Sequence, residues 1–163
     1  MQTKLIIIRG NSGSGKTTLA QHIQAAVPGA LLVSQDVVRR QMLMVRDRPH
    51  NLAIPLIEQI ALYGNGRVPL VIVEGILVRT RYAAMLTRLQ AQFTHTVVYY
   101  FDLPFATTLA RHQTRPQAAT FGANEMRDWW VADDELGWAN EYIFDEQQTL
   151  ATELSTVLTN LNE

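Results

Sequence analysis

Eight residues near the start of this chain, Gly10-Asn11-Ser12-Gly13-Ser14-Gly15-Lys16-Thr17, constrain its fold more than any other feature. The pattern Gly-x-x-x-x-Gly-Lys-Thr suits a triphosphate, which has to be wrapped by backbone because bulky side chains would hold it off. Gly10, Gly13 and Gly15 permit positive φ and close approach. Successive N–H groups then converge on the β-phosphate, and the N-terminus of the next helix adds its partial positive charge. Lys16 is expected to bridge the β- and γ-phosphates, Thr17 to ligate Mg²⁺ and Thr18 to touch the α-phosphate, with ATP as the expected nucleotide. The motif requires a strand before it and a helix after it. Lys4 to Arg9 reads as a buried strand, and Lys16 to Val27 as a helix with Leu19, Ile23 and Val27 on one face, stopped by Pro28-Gly29.

The rest of the chain continues that alternation. Ala30 to Ser34, Val68 to Glu74, His95 to Asp102 and Tyr142 to Phe144 read as strands. Helices are expected from Val37 with Asp36 as N-cap, from about Asn51 to Tyr63, from Tyr82 to Gln92, from Pro104 to about Arg115, and from Gln147 to Leu161. Five strands with interleaved helices make a three-layer α/β/α domain with a parallel sheet. Between 116 and 140 the periodicity weakens and Arg, Asp, Glu, Trp and Gly accumulate, which reads as a helical lid over a site.

Composition sets bounds on partners and location. A length of 163 residues with 47% apolar and 18% charged fits one domain, 1–163, with a real core. Fourteen Lys and Arg against 15 Asp and Glu leave a formal charge of −1, so no global field draws the chain to nucleic acid or an anionic membrane, and a small-molecule acceptor is expected. There is no cysteine, hence no disulfide, zinc-thiolate or thiol nucleophile. No apolar run reaches the roughly 18 residues of a spanning helix, and Leu5-Ile6-Ile7-Ile8 is too short for a signal-peptide core, so the cytoplasm is the expected location.

Several residues speak to the reaction. Asp36 follows the second strand, at the sheet edge that lines the ligand crevice in open parallel sheets, where a carboxylate can take a proton from an attacking hydroxyl; capping the next helix is its other reading. Glu74 ends the third strand at the same edge, where a carboxylate that supports Mg²⁺ or orients water belongs. Arg111 and Arg115 stand four apart on one helix face and suit a clamp on the γ-phosphate, since a guanidinium meets phosphate oxygens bidentately. Arg39 and Arg40 suit an anionic acceptor or simply face water. Trp129 and Trp130 suit stacking on an acceptor ring or packing within the lid. Asp133, Asp134 and Glu135 read as a solvated acidic turn, and His22, His95 and His112 as surface or capping histidines.

With Gly10 to Thr18, Asp36, Val73-Glu74-Gly75 and Asp102-Leu103-Pro104 leading to Arg111 and Arg115, the chain resembles the small P-loop kinases of the adenylate-kinase-like group. Its likeness is greatest to the branch holding chloramphenicol phosphotransferase, zeta toxins, gluconate kinase and the polynucleotide kinase domain. The resemblance implies strand order 2-3-1-4-5, a base or acceptor anchor at Asp36, and lid arginines at Arg111 and Arg115. The stretch from Phe121-Gly122 to Trp129-Trp130 also looks like that of members of this group and brings no substrate with it. Three activities follow. The leading one is an ATP- and Mg²⁺-dependent phosphotransferase acting on a hydroxyl or phosphate of a small molecule. A non-catalytic nucleotide sensor is the alternative. A GTPase switch lacks both Asn-Lys-x-Asp and an Asp-x-x-Gly after the third strand.

Overall fold

The computed structural model describes residues 2–162; of the expected 1–163 domain, Met1 and Glu163 lie outside the described residues. The strands are β1 (Lys4–Gly10), β2 (Leu31–Ser34), β3 (Leu70–Gly75), β4 (Thr96–Phe101) and β5 (Glu141–Phe144). They form one parallel sheet in the order β2-β3-β1-β4-β5. The helices are α1 (Lys16–Ala26), α2 (Ala53–Gly64), α3 (Arg79–Gln90), α4 (Phe105–Gln113), α5 (Ala123–Trp129) and α6 (Leu150–Leu161).

The run Leu5-Ile6-Ile7-Ile8 shows why the sheet is covered on both sides. Side chains alternate along a strand, and in β1 both sets are apolar. Leu5 and Ile7 enter a core with Val71 and Val73, covered by Ile57 and Ala61 of α2 and by Tyr82, Leu86 and Leu89 of α3. Ile6 and Ile8 enter the opposite core with Leu19 and Ile23 of α1 and Val157 of α6. A fully buried side chain of this size contributes roughly 1.5–3 kcal/mol, so these two layers supply the rigidity on which the loops rest. Strand β1 has β3 on one side and β4 on the other, so the chain reverses its winding there and leaves a crevice at the carboxyl ends of the strands. Gly10, Ser34, Glu74 and Phe101 all arrive at that edge, with Ser34 in register with Glu74 and Gly10 with Phe101.

The helical part of the 116–140 segment expected to form a lid, a 3₁₀ turn at Pro116–Ala119 followed by α5, ends at Trp129. Beyond it the chain is fastened to the sheet. Asn11 donates to the Val131 carbonyl at 2.7 Å and accepts from the Val131 amide at 2.9 Å. Asp134, expected in a solvated turn, is instead buried against Arg9, whose side chain at the end of β1 is fully buried. Their ion pair is 2.8 Å, and Arg9 also donates to the Asp134 and Leu77 carbonyls. The second carboxylate near Arg9 is Glu141, at 3.6 Å. A buried guanidinium demands this many acceptors, and burial still lowers its pKa against the pull of Asp134 and Glu141. Removing Asp134 would leave Arg9 under-compensated in the interior. Asp134→Ala is therefore expected to lower unfolding free energy by about 3–5 kcal/mol, read by urea denaturation. A loss below about 1 kcal/mol would show that the Asp134 carboxylate does not matter to the fold.

Candidate functional site

The loop between β1 and α1 has the conformation that its glycines allow. Gly10, Gly13 and Gly15 have φ of 145°, 83° and 102°. At Gly13 a Cβ would stand 2.5 Å from the Thr108 carbonyl, and at Gly10 it would meet Phe101 at 2.8 Å, so any other residue would push the loop off α4 or off β4. Gly15 is the N-cap of α1 and brings no side-chain cap, so the helix starts with its first N–H groups facing the loop. Ser12 lies on the partly exposed rim of this turn, and Thr17 and Thr18 are exposed at its exit.

Lys16 lies inside the loop, donating to the Asn11 carbonyl at 2.8 Å and to Ser14 Oγ at 3.3 Å. Burial lowers its pKa to about 8, opposed by the carboxylates of Glu74 and Asp36. Glu74 is itself buried, and its pKa is raised by desolvation despite Lys16. Thr17 Oγ1 donates to Glu74 Oε2 at 3.2 Å. A hydroxyl and a carboxylate oxygen thus meet beside the lysine, and hard oxygen donors of this kind fit Mg²⁺, which takes few protein ligands and several from phosphate and water.

Asp36 differs from one of its two sequence readings. It has helical φ and ψ, its side chain caps nothing, and the segment after it is a short π-helix, Val37–Met42, in place of the expected α-helix. Wide turns of this type occur often at functional sites. Here the turn sets Arg39 and Arg40 against Asp36 Oδ1, at 3.3 and 3.4 Å. The carboxylate also acts electrostatically on Lys16, Glu74 and Arg115, so it stands between the glycine loop and the C-terminal end of α4.

The two arginines expected to serve a lid, Arg111 and Arg115, behave differently from each other. Arg111 donates to the Ser14 carbonyl at 2.7 Å and so braces the loop itself. Arg115 meets His112 Nδ1 at 3.1 Å, its Nε is buried without a hydrogen-bond partner, and burial lowers its pKa against the attraction of Asp36. His112, expected at the surface, is buried: Nε2 pairs with the Phe121 carbonyl at 2.8 Å, and the two rings stack with centroids 4.4 Å apart. With Nε2–H donating, Nδ1 is left to accept from Arg115. The sequence offered no sign of this, because the spacing from His112 to Phe121 has no helical period.

Two cavities flank these groups. One of about 280 Å³ is lined by the loop glycines, Lys16 to Thr18, Arg111 and Arg115, and is closed by Gln148 to Leu150 and Glu153 at the start of α6. The α6 residues were not foreseen, since the sequence showed only that helix's apolar stripe. The other cavity, of about 520 Å³, lies between the β2–α2 connection and α5, and contains Arg39, Arg40 and Trp129. Trp130 is elsewhere, edge-on to Phe105 with ring centroids 5.4 Å apart. No described helix is long and apolar enough to cross a membrane.

The AAA domain family model matches residues 5–128, and the chain belongs to that family. No curated protein matches it. Solved structures do. A gluconokinase from Sinorhizobium meliloti aligns with a TM-score of 0.71 at 15% identity, covering 98% of this chain and 91% of that one. An APS kinase from Mycobacterium tuberculosis, in complex with AMPPNP and APS, gives 0.71 at 15% identity, covering 99% of each chain. A tunicamycin resistance protein from Deinococcus radiodurans gives 0.69 at 16% identity, covering 98% of this chain and 96% of that one. The fold is that of the small P-loop kinases, including the strand order expected from the resemblance.

Proposed function

We propose that this AAA-domain protein is an ATP-dependent phosphotransferase that moves the γ-phosphoryl group to a hydroxyl or phosphate of a small-molecule acceptor. The observation that carries this reading is the position of Asp36, electrostatically coupled to Lys16 and Arg115 on one side and ion-paired with Arg39 and Arg40 on the other. A hydrolase or sensor needs the loop and the lysine. It has no use for a carboxylate held between the nucleotide site and a basic cavity. The fold neighbour solved in complex with AMPPNP and APS, a kinase holding a nucleotide analogue together with a second small molecule, supports this reading.

The chemistry follows from the side chains present. The loop N–H groups of Gly13 to Thr17 would hold the β-phosphate, and Lys16 would bridge to the γ-phosphate. Thr17 and Glu74 would hold Mg²⁺, which when bound neutralises charge on the β- and γ-oxygens. Asp36 receives the proton of an acceptor hydroxyl, or anchors that hydroxyl, while Arg39 holds the acceptor. The acceptor oxygen forms a bond to the γ-phosphorus as the bond from phosphorus to the β–γ bridging oxygen breaks, and ADP leaves. Arg115, with an unsatisfied Nε, would meet the charge on the migrating phosphoryl group.

The test is a screen for ATP consumption and phosphorylated product across nucleosides, nucleotides, sugars, aminoglycosides and 5′-hydroxyl oligonucleotides. One small-molecule acceptor is expected to give turnover well above ATP hydrolysis alone. Run with that acceptor, Arg115→Ala should lower kcat by about 10³-fold, as for a charge that completes the transition-state site, with ATP affinity changed much less. Arg111→Ala should weaken both, because it also loses the Ser14 contact. No turnover with any class while ATP binds tightly would favour a nucleotide sensor.

A further inference from the structure

The cavity between the β2–α2 connection and α5 contains five guanidinium groups, from Arg39, Arg40, Arg46, Arg48 and Arg81, and only two carboxylates, Asp47 and Asp128. Counting Asp36, which Arg39 and Arg40 share at the cavity mouth, that leaves a local excess of two positive charges in one concave site of a chain whose formal charge is −1. Clefts focus such fields and concentrate anions.

The positive groups are not equally engaged. Arg81 is paired with Asp47 at 2.9 Å, and Arg39 and Arg40 share Asp36. Among the described residues, the side chains of Arg46 and Arg48 make no hydrogen bond or ion pair, and Arg39 Nε is a buried donor with no partner. Asp47, which separates Arg46 from Arg48 in sequence, does not serve them. It accepts from Tyr82 Oη at 2.8 Å and from Arg81, and Tyr82 in turn accepts from Gln35 at 2.8 Å. A partly buried network thus pins the middle of the loop to α3 and to the end of β2. Arg39 and Val45 close its start by reciprocal bonds of 3.1 and 2.9 Å. Two arginines facing water on a floppy loop would be a solvated face. Here the backbone between the two arginines is anchored, so both side chains start from a fixed position at the cavity rim. The opposite wall is apolar, from Ile76, Val78, Val131 and Trp129, with the Trp129 ring under Arg40 at 5.8 Å.

We propose that this cavity binds the anionic end of the acceptor, a phosphate-type dianion on a compact apolar or planar body, so that the substrate is an already phosphorylated small molecule. The assignment rests on the phosphotransferase reading for its orientation. Asp36, paired with Arg39 and Arg40 at the cavity mouth and acting on Lys16, would then face the reactive end of the acceptor, while Arg46 and Arg48 hold the far end. A cavity of about 520 Å³ suits a molecule of this kind.

The test is isothermal titration of protein saturated with AMPPNP and Mg²⁺, so that the glycine loop is filled, using 1-naphthyl phosphate, 1-naphthyl sulfate and 1-naphthol. The phosphate is expected to bind at least about 10-fold tighter than naphthol, the range of charge-assisted hydrogen bonds, with the singly charged sulfate between them. The double variant Arg46→Gln/Arg48→Gln, both residues being exposed, should keep its circular dichroism and its AMPPNP affinity and lose about 10-fold or more in phosphate binding. Sulfate binding tighter than phosphate would overturn the dianion assignment. Equal binding of naphthol and naphthyl phosphate, or phosphate binding untouched in the double variant, would overturn the site itself. Failure of AMPPNP to bind would strike the phosphotransferase reading instead. The cavity would then be judged by the same three probes without nucleotide.

Discussion

In Lys16→Ala, phosphoryl transfer is expected to fall by at least about 10³-fold while the protein stays folded. The lost group is a buried side-chain cation inside the glycine loop, and removing one preorganised charge partner of a transition state costs about 10²–10³-fold even for a neutral donor. The fold should survive because Lys16 opens α1, where alanine is favourable, and because its ammonium is bound only by Asn11 O and Ser14 Oγ. Its depressed pKa supplies a second signature. Below about pH 8 the folded and unfolded states both carry the proton, and the native state bears the whole penalty of the buried charge. Between pH 8 and the ordinary value of 10.5 the unfolded chain binds a proton that the folded chain does not, so stability rises with pH through that window. The rise is on the order of 3 kcal/mol in the apoprotein and should vanish in Lys16→Ala. Nucleotide affinity should move the opposite way, falling above pH 8 as the ammonium is lost. Urea unfolding and AMPPNP titration at pH 7, 8, 9 and 10 on both proteins read these effects. Full turnover in a folded Lys16→Ala protein would remove the phosphate cradle from the mechanism.

What was legible in the sequence follows from which interactions are local. The glycine loop has its requirements within eight residues, and the run Leu5 to Ile8 declares a strand buried on both faces, so the first βα unit and the layer architecture could be read directly. Long-range pairings could not. Arg9 and Asp134 are 125 residues apart, and Asp134, flanked by Asp133 and Glu135, carries the local look of a solvated turn. Nothing in its surroundings in sequence reports that a buried guanidinium waits for it. Asp36 failed as a helix cap for a related reason. The rule reads a polar residue before a helical pattern as a cap, but the Asp36 backbone is already helical and the next turn is wide, so its side chain is turned toward Arg39 and Arg40. Arg46 and Arg48 carried no signal at all, because loop charges acquire meaning only when the walls around them are known.

Those long-range ties also fix the glycine loop and the arginine cavity relative to each other. Asn11 in the glycine loop is doubly bonded to Val131, and Val131 also lines the arginine cavity. Arg9, just before the loop, holds the Leu77 carbonyl, while Gln35, just before Asp36, accepts from the Leu77 amide at 3.0 Å. Leu77 is a buried residue with φ of 46°, a conformation that its side chain disfavours and that both bonds hold in place. The glycine loop, the Asp36 turn and the segment at Val131 are thus tied together near the end of β3 by a few bonds.

Asp36→Asn is the substitution on which the choice between kinase and sensor turns. Asparagine keeps the size, and the residue has no capping bond to lose; what disappears is the charge that Arg39 and Arg40 share. Asp36 is largely exposed, so those pairs are worth at most about 1 kcal/mol and the fold should be unaffected. ATP and Mg²⁺ binding should stay near wild type, because the loop, Lys16, Thr17 and Glu74 are untouched. Phosphoryl transfer to an acceptor hydroxyl should nevertheless fall by about 10²-fold, the low end of the range for general base catalysis, because a largely dissociative transition state asks little of a base. A role limited to arranging Arg39 and Arg40 makes a different forecast: an amide oxygen still accepts from both guanidinium groups, so turnover would persist and only the acceptor KM would move. Titration with AMPPNP and a coupled turnover assay on one preparation separate the two. Intact kcat in that protein would take Asp36 out of the chemistry and, with it, the observation on which the phosphotransferase reading rests.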